Sequence, residues 1–158
     1  MQITKEQWTK VEAELSRIYG YVKMKCDGYE LTLEVSPVAA LQCGIVVYVN
    51  GQFKGKWLIE DCEERRRFLR PVERFLWGTK QRAGFLKIYG GKRAPKKEVE
   101  RINEKITAYY SHWTSVTALR RHLKKNNHDI QLLSVGEEVI ALPDQARATS
   151  CELVSALG

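Results

Sequence analysis

The chain has 158 residues, 44% of them apolar, and its 26 Lys and Arg against 19 Asp and Glu leave a formal charge of +7. That length and apolar share suit one domain, or one domain with a small appendage, and exclude a disordered tail. The longest nearly apolar run, residues 38–49, is twelve residues long and includes Gln42 and Gly44; a bilayer span needs roughly 18–20, so no membrane span is expected.

In chain order, Thr4 and Gln7 have capping-box spacing, and Trp8, Val11, Leu15 and Ile18 then recur at helical steps, which predicts a helix with one face on a core. From Tyr21 the period becomes two. Val22, Met24 and Cys26, then Leu31, Leu33 and Val35, alternate with polar residues around Asp27-Gly28, the pattern of a hairpin with one wet face. A second β unit is expected after Pro37, running over 45–49, turning at Asn50-Gly51 and returning over 53–58. Asp61 and Glu64 repeat the capping-box spacing and predict a second helix. Its Phe68, Leu69, Val72, Phe75 and Leu76 fall on one side and Arg66, Arg70 and Arg74 on the other, with a kink or split at Pro71. Residues 85–89 read as a short strand and 90–93 (Gly-Gly-Lys-Arg) as an exposed loop. Pro95 suits the first turn of a third helix carrying Val99, Ile102, Ile106, Tyr109 and Trp113. A break at 111–114 precedes a fourth helix over 115–125, stopped by Asn126-Asn127 and followed by a short strand over 130–133.

These elements predict an α+β fold: an antiparallel sheet of about four strands flanked by helices, with a helical C-terminal portion. The expected organisation is one domain over 1–133, with 95–127 as a candidate helical subdomain and 134–158 as a loosely attached tail. No leader of basic-then-apolar order opens the chain, so a reducing, cytoplasmic setting is expected.

The charge is unevenly spread. Residues 1–53 carry five basic and six acidic side chains, 54–105 sixteen and eight, and 106–158 five and five. Within 65–97, twelve basic residues stand against one acidic residue, Glu73. Solvated helix faces usually mix signs, so this run points to a polyanion or an acidic protein surface as partner. The residues expected to carry the contact are Arg65, Arg66, Arg67, Arg70 and Arg74, supported by Lys92, Arg93, Lys96 and Lys97. Arginine suits phosphate because its planar fork pairs bidentately. Trp77, Phe85 and Tyr89 are interleaved with these charges, where they either stack on bases or pack in the core.

Catalytic constellations are not advertised. His112, His122 and His128 lack the i, i+4 spacing that places two imidazoles on one helix face, and neither H-E-x-x-H nor G-x-S-x-G occurs. Cys26, Cys43, Cys62 and Cys151 form no C-x-x-C pair, against a zinc knuckle or disulfide framework. Gly90-Gly91-Lys92 lacks the full phosphate-loop pattern. Cys62 at an expected helix start has the position of a reactive thiol, while Glu60, Asp61 and Glu63 supply carboxylates that capping and the helix dipole equally explain. No catalytic residue, metal or cofactor is expected. Two nucleic-acid readings remain open. The order helix, β-meander, helix resembles the double-stranded RNA-binding fold at the level of topology, and 96–110 with 115–125 has the outline of a helix-turn-helix.

Several strings are familiar as a set: Asp27-Gly28-Tyr29; Tyr48-Val49-Asn50-Gly51 followed by Phe53-Lys54-Gly55 and Trp57; Cys62-Glu63-Glu64-Arg65-Arg66-Arg67-Phe68 with Arg70-Pro71; and Trp113, Ser115, Leu119, Arg121-His122-Leu123 and Asn126-Asn127. Over residues 20–133 the chain resembles a group of small accessory proteins encoded by bacteriophages and prophages. The resemblance implies a setting in a bacterial host, not a mechanism, and assigns no residue a role. Small phage proteins of this kind act by binding host machinery, inhibitors of CRISPR effectors among them. The expectation is therefore a non-enzymatic phage accessory protein that binds a host ribonucleoprotein or nucleic-acid-handling protein, as an anti-defence inhibitor such as an anti-CRISPR. The alternative is direct binding of DNA or RNA by the same basic patch.

Overall fold

The computed structural model describes residues 2–140. The chain divides into two compact units: a core unit, Met1–Arg70 with Ser111–Gly158, and an inserted unit, Pro71–Tyr110.

The core unit opens with helix α1 (Lys5–Leu15), where the Thr4 hydroxyl accepts from Gln7 N and the Gln7 side chain accepts from Thr4 N. Trp8, Val11 and Leu15 on its inner face are buried. Strands β1 (Tyr21–Cys26), β2 (Tyr29–Ala39) and β3 (Gln42–Val49) follow as a meander. Asp27 and Gly28 both take positive φ, 46° and 89°, the primed-turn geometry whose twist matches the flanking strands. The register places Met24 opposite Leu31 and Leu31 opposite Val49, and Val22 opposite Leu33 and Leu33 opposite Val47. These inward residues are all buried. On the other face Lys25 lies opposite Glu30 and Lys23 opposite Thr32, so the period of two is realised as one dry and one wet side.

Later parts of the chain complete this sheet. Strand β6 (His112–Trp113) pairs with β3, and β7 (Ile130–Val135) pairs with β1 and with β8 (Glu138–Val139). The six-stranded antiparallel order is β6-β3-β2-β1-β7-β8. Helices α2 (Glu63–Phe68) and α5 (Val116–Asn126) contribute Phe68, Leu119 and Leu123, each at most 1% exposed.

The inserted unit contains strand β4 (Arg70–Phe75, its first residue shared with the core unit), helices α3 (Thr79–Ile88) and α4 (Lys96–Ile102), and strand β5 (Lys105–Tyr110), which pairs with β4. Ile102 is its one buried hydrophobic residue, against 22 in the described part of the core unit.

The α+β class holds, but the sheet has six strands instead of about four, and several elements change type. No strand returns over 53–58. The Asn50-Gly51 turn forms, yet the chain makes only the Val49–Gln52 bridge before a 3-10 turn at Gly55–Leu58. In that segment Gly55 has nothing to bury and only Trp57 reaches the core, while β6 takes the pairing edge of β3.

The second helix stops at Phe68 and does not continue past Pro71. A proline disfavours helical backbone in the residue before it, and Leu69, already extended at ψ 152°, leads into β4. Of the expected strand over 85–89, residues 85–88 lie inside α3 and Tyr89 is its C-cap; Lys80, Gln81, Arg82, Ala83, Leu86 and Lys87 are good helix formers. Gly90, at φ 104°, stops that helix in the left-handed conformation.

The third helix ends at Ile102, capped by Asn103. Beyond it Ile106, Thr107, Tyr109 and Tyr110 favour a strand. Residues 95–127 therefore hold two helices in different units with β5 and β6 between them, not a helical subdomain. The helix-turn-helix reading, which needs one helix from 96 to 110, falls with it. The helix over 115–125 and the strand after it form as expected, with the Ser115 hydroxyl accepting from Ala118 N. Of the tail expected over 134–158, residues 134–139 extend β7 and form β8, and 141–158 lie outside the described residues.

Candidate partner interface

The nine cations expected to carry a contact are split between the units, and the split coincides with how they are engaged. Arg67 on α2 is a structural cross-link. Its guanidinium reaches Asp27 Oδ2 and Glu63 Oε1 at 2.7 Å each, donates to Asn127 Oδ1 at 3.1 Å and lies 5.7 Å from the Tyr29 ring centre. Asp27 also accepts from Asp129 N at 2.7 Å and His128 N at 3.0 Å. Those backbone donors, with Arg67, hold its carboxyl down at about 2 against an ordinary 3.8. The result joins the β1–β2 turn, α2 and the α5–β7 connection.

Arg66 is exposed and pairs with Asp61 at 3.5 Å, while Arg70 donates to Thr114 Oγ1 at 3.2 Å and Arg65 is half-buried. The end of α2 is held from outside the helix. Trp113 Nε1 donates to Phe68 O, and His122 Nε2 donates to Arg66 O, both at 3.0 Å. These bonds satisfy carbonyls that a short helix leaves without partners. Burial lowers the His122 pKa, against the bond to Arg66 O, which favours the protonated ring; in the neutral ring the proton is the one Nε2 donates.

Arg74, Lys92, Arg93, Lys96 and Lys97 belong to the inserted unit, and all are exposed. No carboxylate among the described residues pairs with them. Lys92 and Arg93 sit in a 3-10 turn, Gly91–Arg93, between Gly90 and Ala94. Lys96 and Lys97 occupy the first turn of α4, where the helix dipole favours anions and each cation costs about 0.3–1 kcal/mol. Four cations within six residues, two of them placed against the local field, are not explained by the stability of the unit. The unit has ten Lys and Arg against four Glu, so +6 of the chain's +7 rests on 40 residues.

Two of the three interleaved aromatics are exposed too, and Phe85 is half-buried. Trp77 is 38% and Tyr89 44% exposed, and Phe75, Leu76, Ile88, Ile106 and Tyr110 join them. Trp77 and Phe85 meet edge to face at 5.2 Å. Arg82 stacks over Phe75 at 3.6 Å, with Lys105 at 5.4 Å from the same ring.

Other candidates for chemistry are engaged or isolated. Glu63 and Asp61 are paired with arginines; Cys62 is the N-cap residue of α2, without a capping side-chain bond; burial pushes the Cys26 thiol up to about 12. Among the described residues no three His, Cys, Asp or Glu side chains converge as metal ligands, and no helix is long and apolar enough to cross a membrane.

Residues that sequence reasoning passed over are Glu98, Arg101 and Glu104, which line a cavity with Leu76, Trp77, Phe85, Tyr89 and Ile102. The i, i+3 spacing of Glu98 and Arg101 was visible; that the face opposite them is a helix was not, because 85–89 reads as a strand. No protein-family model, no curated protein and no solved structure matches this chain.

Proposed function

We propose that the chain is a non-enzymatic accessory protein that docks through its inserted unit on a host nucleic-acid-handling protein or ribonucleoprotein. The observation that carries this is the coincidence, in one 40-residue unit, of +6 charge with seven exposed large apolar residues and one buried one. Exposed cations alone fit any polyanion. Exposed Leu76, Ile88 and Ile106 gain nothing from phosphate but are buried by a protein surface, and exposed apolar residues in such number on a unit this small favour a protein partner. The partner surface is accordingly acidic with apolar ground between its charges, as on proteins that mimic or border nucleic acid. The resemblance to phage-encoded proteins adds the biological sense: an anti-defence inhibitor, of which an anti-CRISPR is one kind.

Capture from host lysate, with and without nuclease, tests this. Wild type retains a defined partner after nuclease treatment, and a variant with Lys92, Arg93, Lys96 and Lys97 changed to Glu loses it. Retention of the same partner by that variant removes these residues from the function. The exposed Trp77 and Tyr89 favour a second reading, direct binding of single-stranded nucleic acid with bases stacked on the rings. It requires bare labelled strands to bind at low salt, with affinity falling steeply as salt rises.

A further inference from the structure

The inserted unit is basic as a whole, yet its aromatic cavity is lined by two of its four glutamates, Glu98 and Glu104, against one cation, Arg101. The cavity, about 200 Å³, opens between the Leu76-Trp77 segment, α3 and α4. Trp77 and Phe85 stand edge to face, 5.2 Å apart at 72°, so their rings present walls in two directions, and Tyr89 adds a third aromatic. The Glu98 side chain is 23% exposed, and its ion pair, to Arg101, spans 3.8 Å, too long for a hydrogen bond. Arg101 is 72% exposed and compensates it weakly. A carboxylate mostly withdrawn from water beside aromatic rings calls for a closer cation, and ring faces attract cations in the same place. The unit already uses that chemistry elsewhere, in Arg82 stacked over Phe75.

We propose that this cavity is a receptor for one organic cation: the guanidinium or alkylammonium head of an Arg or Lys side chain on a protein partner. The head lies against Trp77, Phe85 and Tyr89 with its N–H groups toward Glu98. The net charge of the unit weakens capture of a free cation without abolishing it, so free analogues bind weakly and the tight ligand is a side chain delivered by a partner held through other contacts. Nucleic-acid-handling proteins expose such side chains where they grip phosphate. The cavity's preference for a cation does not, however, depend on the docking function proposed above, because it needs no anionic partner.

Trp77 supplies the readout. Trp8, Trp57 and Trp113 are at most 5% exposed, whereas Trp77 is 38% exposed, so a solute binding in the cavity changes the emission of Trp77 selectively. The intact protein is titrated with N-acetyl-arginine amide, its neutral isostere N-acetyl-citrulline amide, N-acetyl-lysine amide and adenosine monophosphate. The expected result is a saturable emission change with the arginine and lysine derivatives and none with citrulline. Trp77→Phe should abolish the signal, and Glu98→Gln should weaken arginine binding about tenfold, the factor for one hydrogen bond between charged groups. Glu104→Gln is a second variant should Glu98→Gln disturb α4, as checked by circular dichroism. Equal binding of citrulline, absence of saturation, or preference for the nucleotide each overturns the proposal, the last in favour of a base-stacking site. Loss of the lysate partner in the Lys-to-Glu variant with arginine binding intact would separate this site from the docking surface.

Discussion

The two units of this chain solve opposite problems. The core unit turns most of its large apolar residues inward: dry sheet positions, α1, α2 and α5 help to bury 22 hydrophobic residues among the described ones, and its charges nearly balance, sixteen basic against fifteen acidic. Its most elaborate charge cluster, Arg67 with Asp27 and Glu63, is turned to holding elements together. The inserted unit buries only Ile102, leaves seven large apolar residues exposed and places lysines in the first turn of α4, where a helix favours anions. The core unit exposes large apolar residues too, Ile18, Tyr19, Tyr21, Leu41, Ile59 and Val139 among the described ones, but it sets them beside a large core; the inserted unit has one buried residue to set against seven. The contrast is clearest in the arginines and lysines of the basic run: Arg67 in the core unit is bound into the fold, whereas Arg74, Lys92, Arg93, Lys96 and Lys97 in the inserted unit are exposed.

The largest effects that break this comparison fall in the core unit. Phe68 is fully buried, edge-on to Tyr29 at 5.4 Å, and its carbonyl accepts from Trp113. Phe68→Ala should cost about 3–5 kcal/mol, read as a fall in the midpoint of a denaturant melt. A loss below about 1 kcal/mol would mean that α2 is not part of the cooperative core. Asp27→Ala comes next, at about 2 kcal/mol, because two backbone donors lose their acceptor and Arg67, which keeps Glu63 and Asn127, loses one of its two carboxylates. The same group sets an acid limit. Its folded pKa, about 2, lies below the ordinary 3.8, so its contribution is complete above about pH 4 and is lost as pH falls through about 2. Half-buried His122 is also shifted downward from 6.5 by loss of hydration; its neutral form is the one the fold prefers, so stability should begin to decline as pH falls below 6.5. In the Asp27→Ala protein the decline between pH 4 and 2 should flatten, while the decline that begins below pH 6.5 remains.

What could be read without coordinates follows a physical line between local and distant causes. The Thr4–Gln7 box and the Asp27-Gly28 turn are set by residues within four positions of one another, and both form as expected. Pro71 announced a break correctly, but the strand that follows exists because residues 105–110 pair with it, a partner more than thirty positions away. Ile106 and Tyr109 continued the helical steps of Val99 and Ile102 by coincidence of spacing, and Asn103 with the β-branched and aromatic residues after it overrode that pattern. The basic run was countable, but not which arginines are engaged: Arg67 looks like its neighbours until Asp27, forty positions upstream, is seen to hold it. The Glu98 cavity was hidden for a related reason, since its far wall is a helix that the sequence disguises as a strand.

Effects no larger than these, in the inserted unit, sharpen the comparison. Ile102 is flanked by cavities of about 200 and 220 Å³ on its two sides, so Ile102→Ala removes less packing than its burial suggests. It should cost about 2 kcal/mol, the low end for such truncations. The loss should be confined to the inserted unit, appearing in Trp77 emission and in amide exchange over 79–102 while the main melt is unmoved. A matching shift of the main melt would show that the two units unfold as one.

The smallest expected effect discriminates most cleanly. Gly84 lies in the interior of α3, and a Cβ built there meets no atom within 4 Å. Gly84→Ala should therefore stabilise α3 by about 0.5–1 kcal/mol through helix propensity and reduced freedom of the unfolded chain, without adding a contact. If the inserted unit is loosely packed because its surface awaits a partner, this variant should slow amide exchange in α3, leave the core unit's melt unchanged, and bind the partner at least as well as wild type, since less ordering remains to be done on docking. Weaker binding with a stabilised α3 would mean instead that the partner selects a conformation in which this helix is bent or open at Gly84, and the exposed face described here would not be the one that docks.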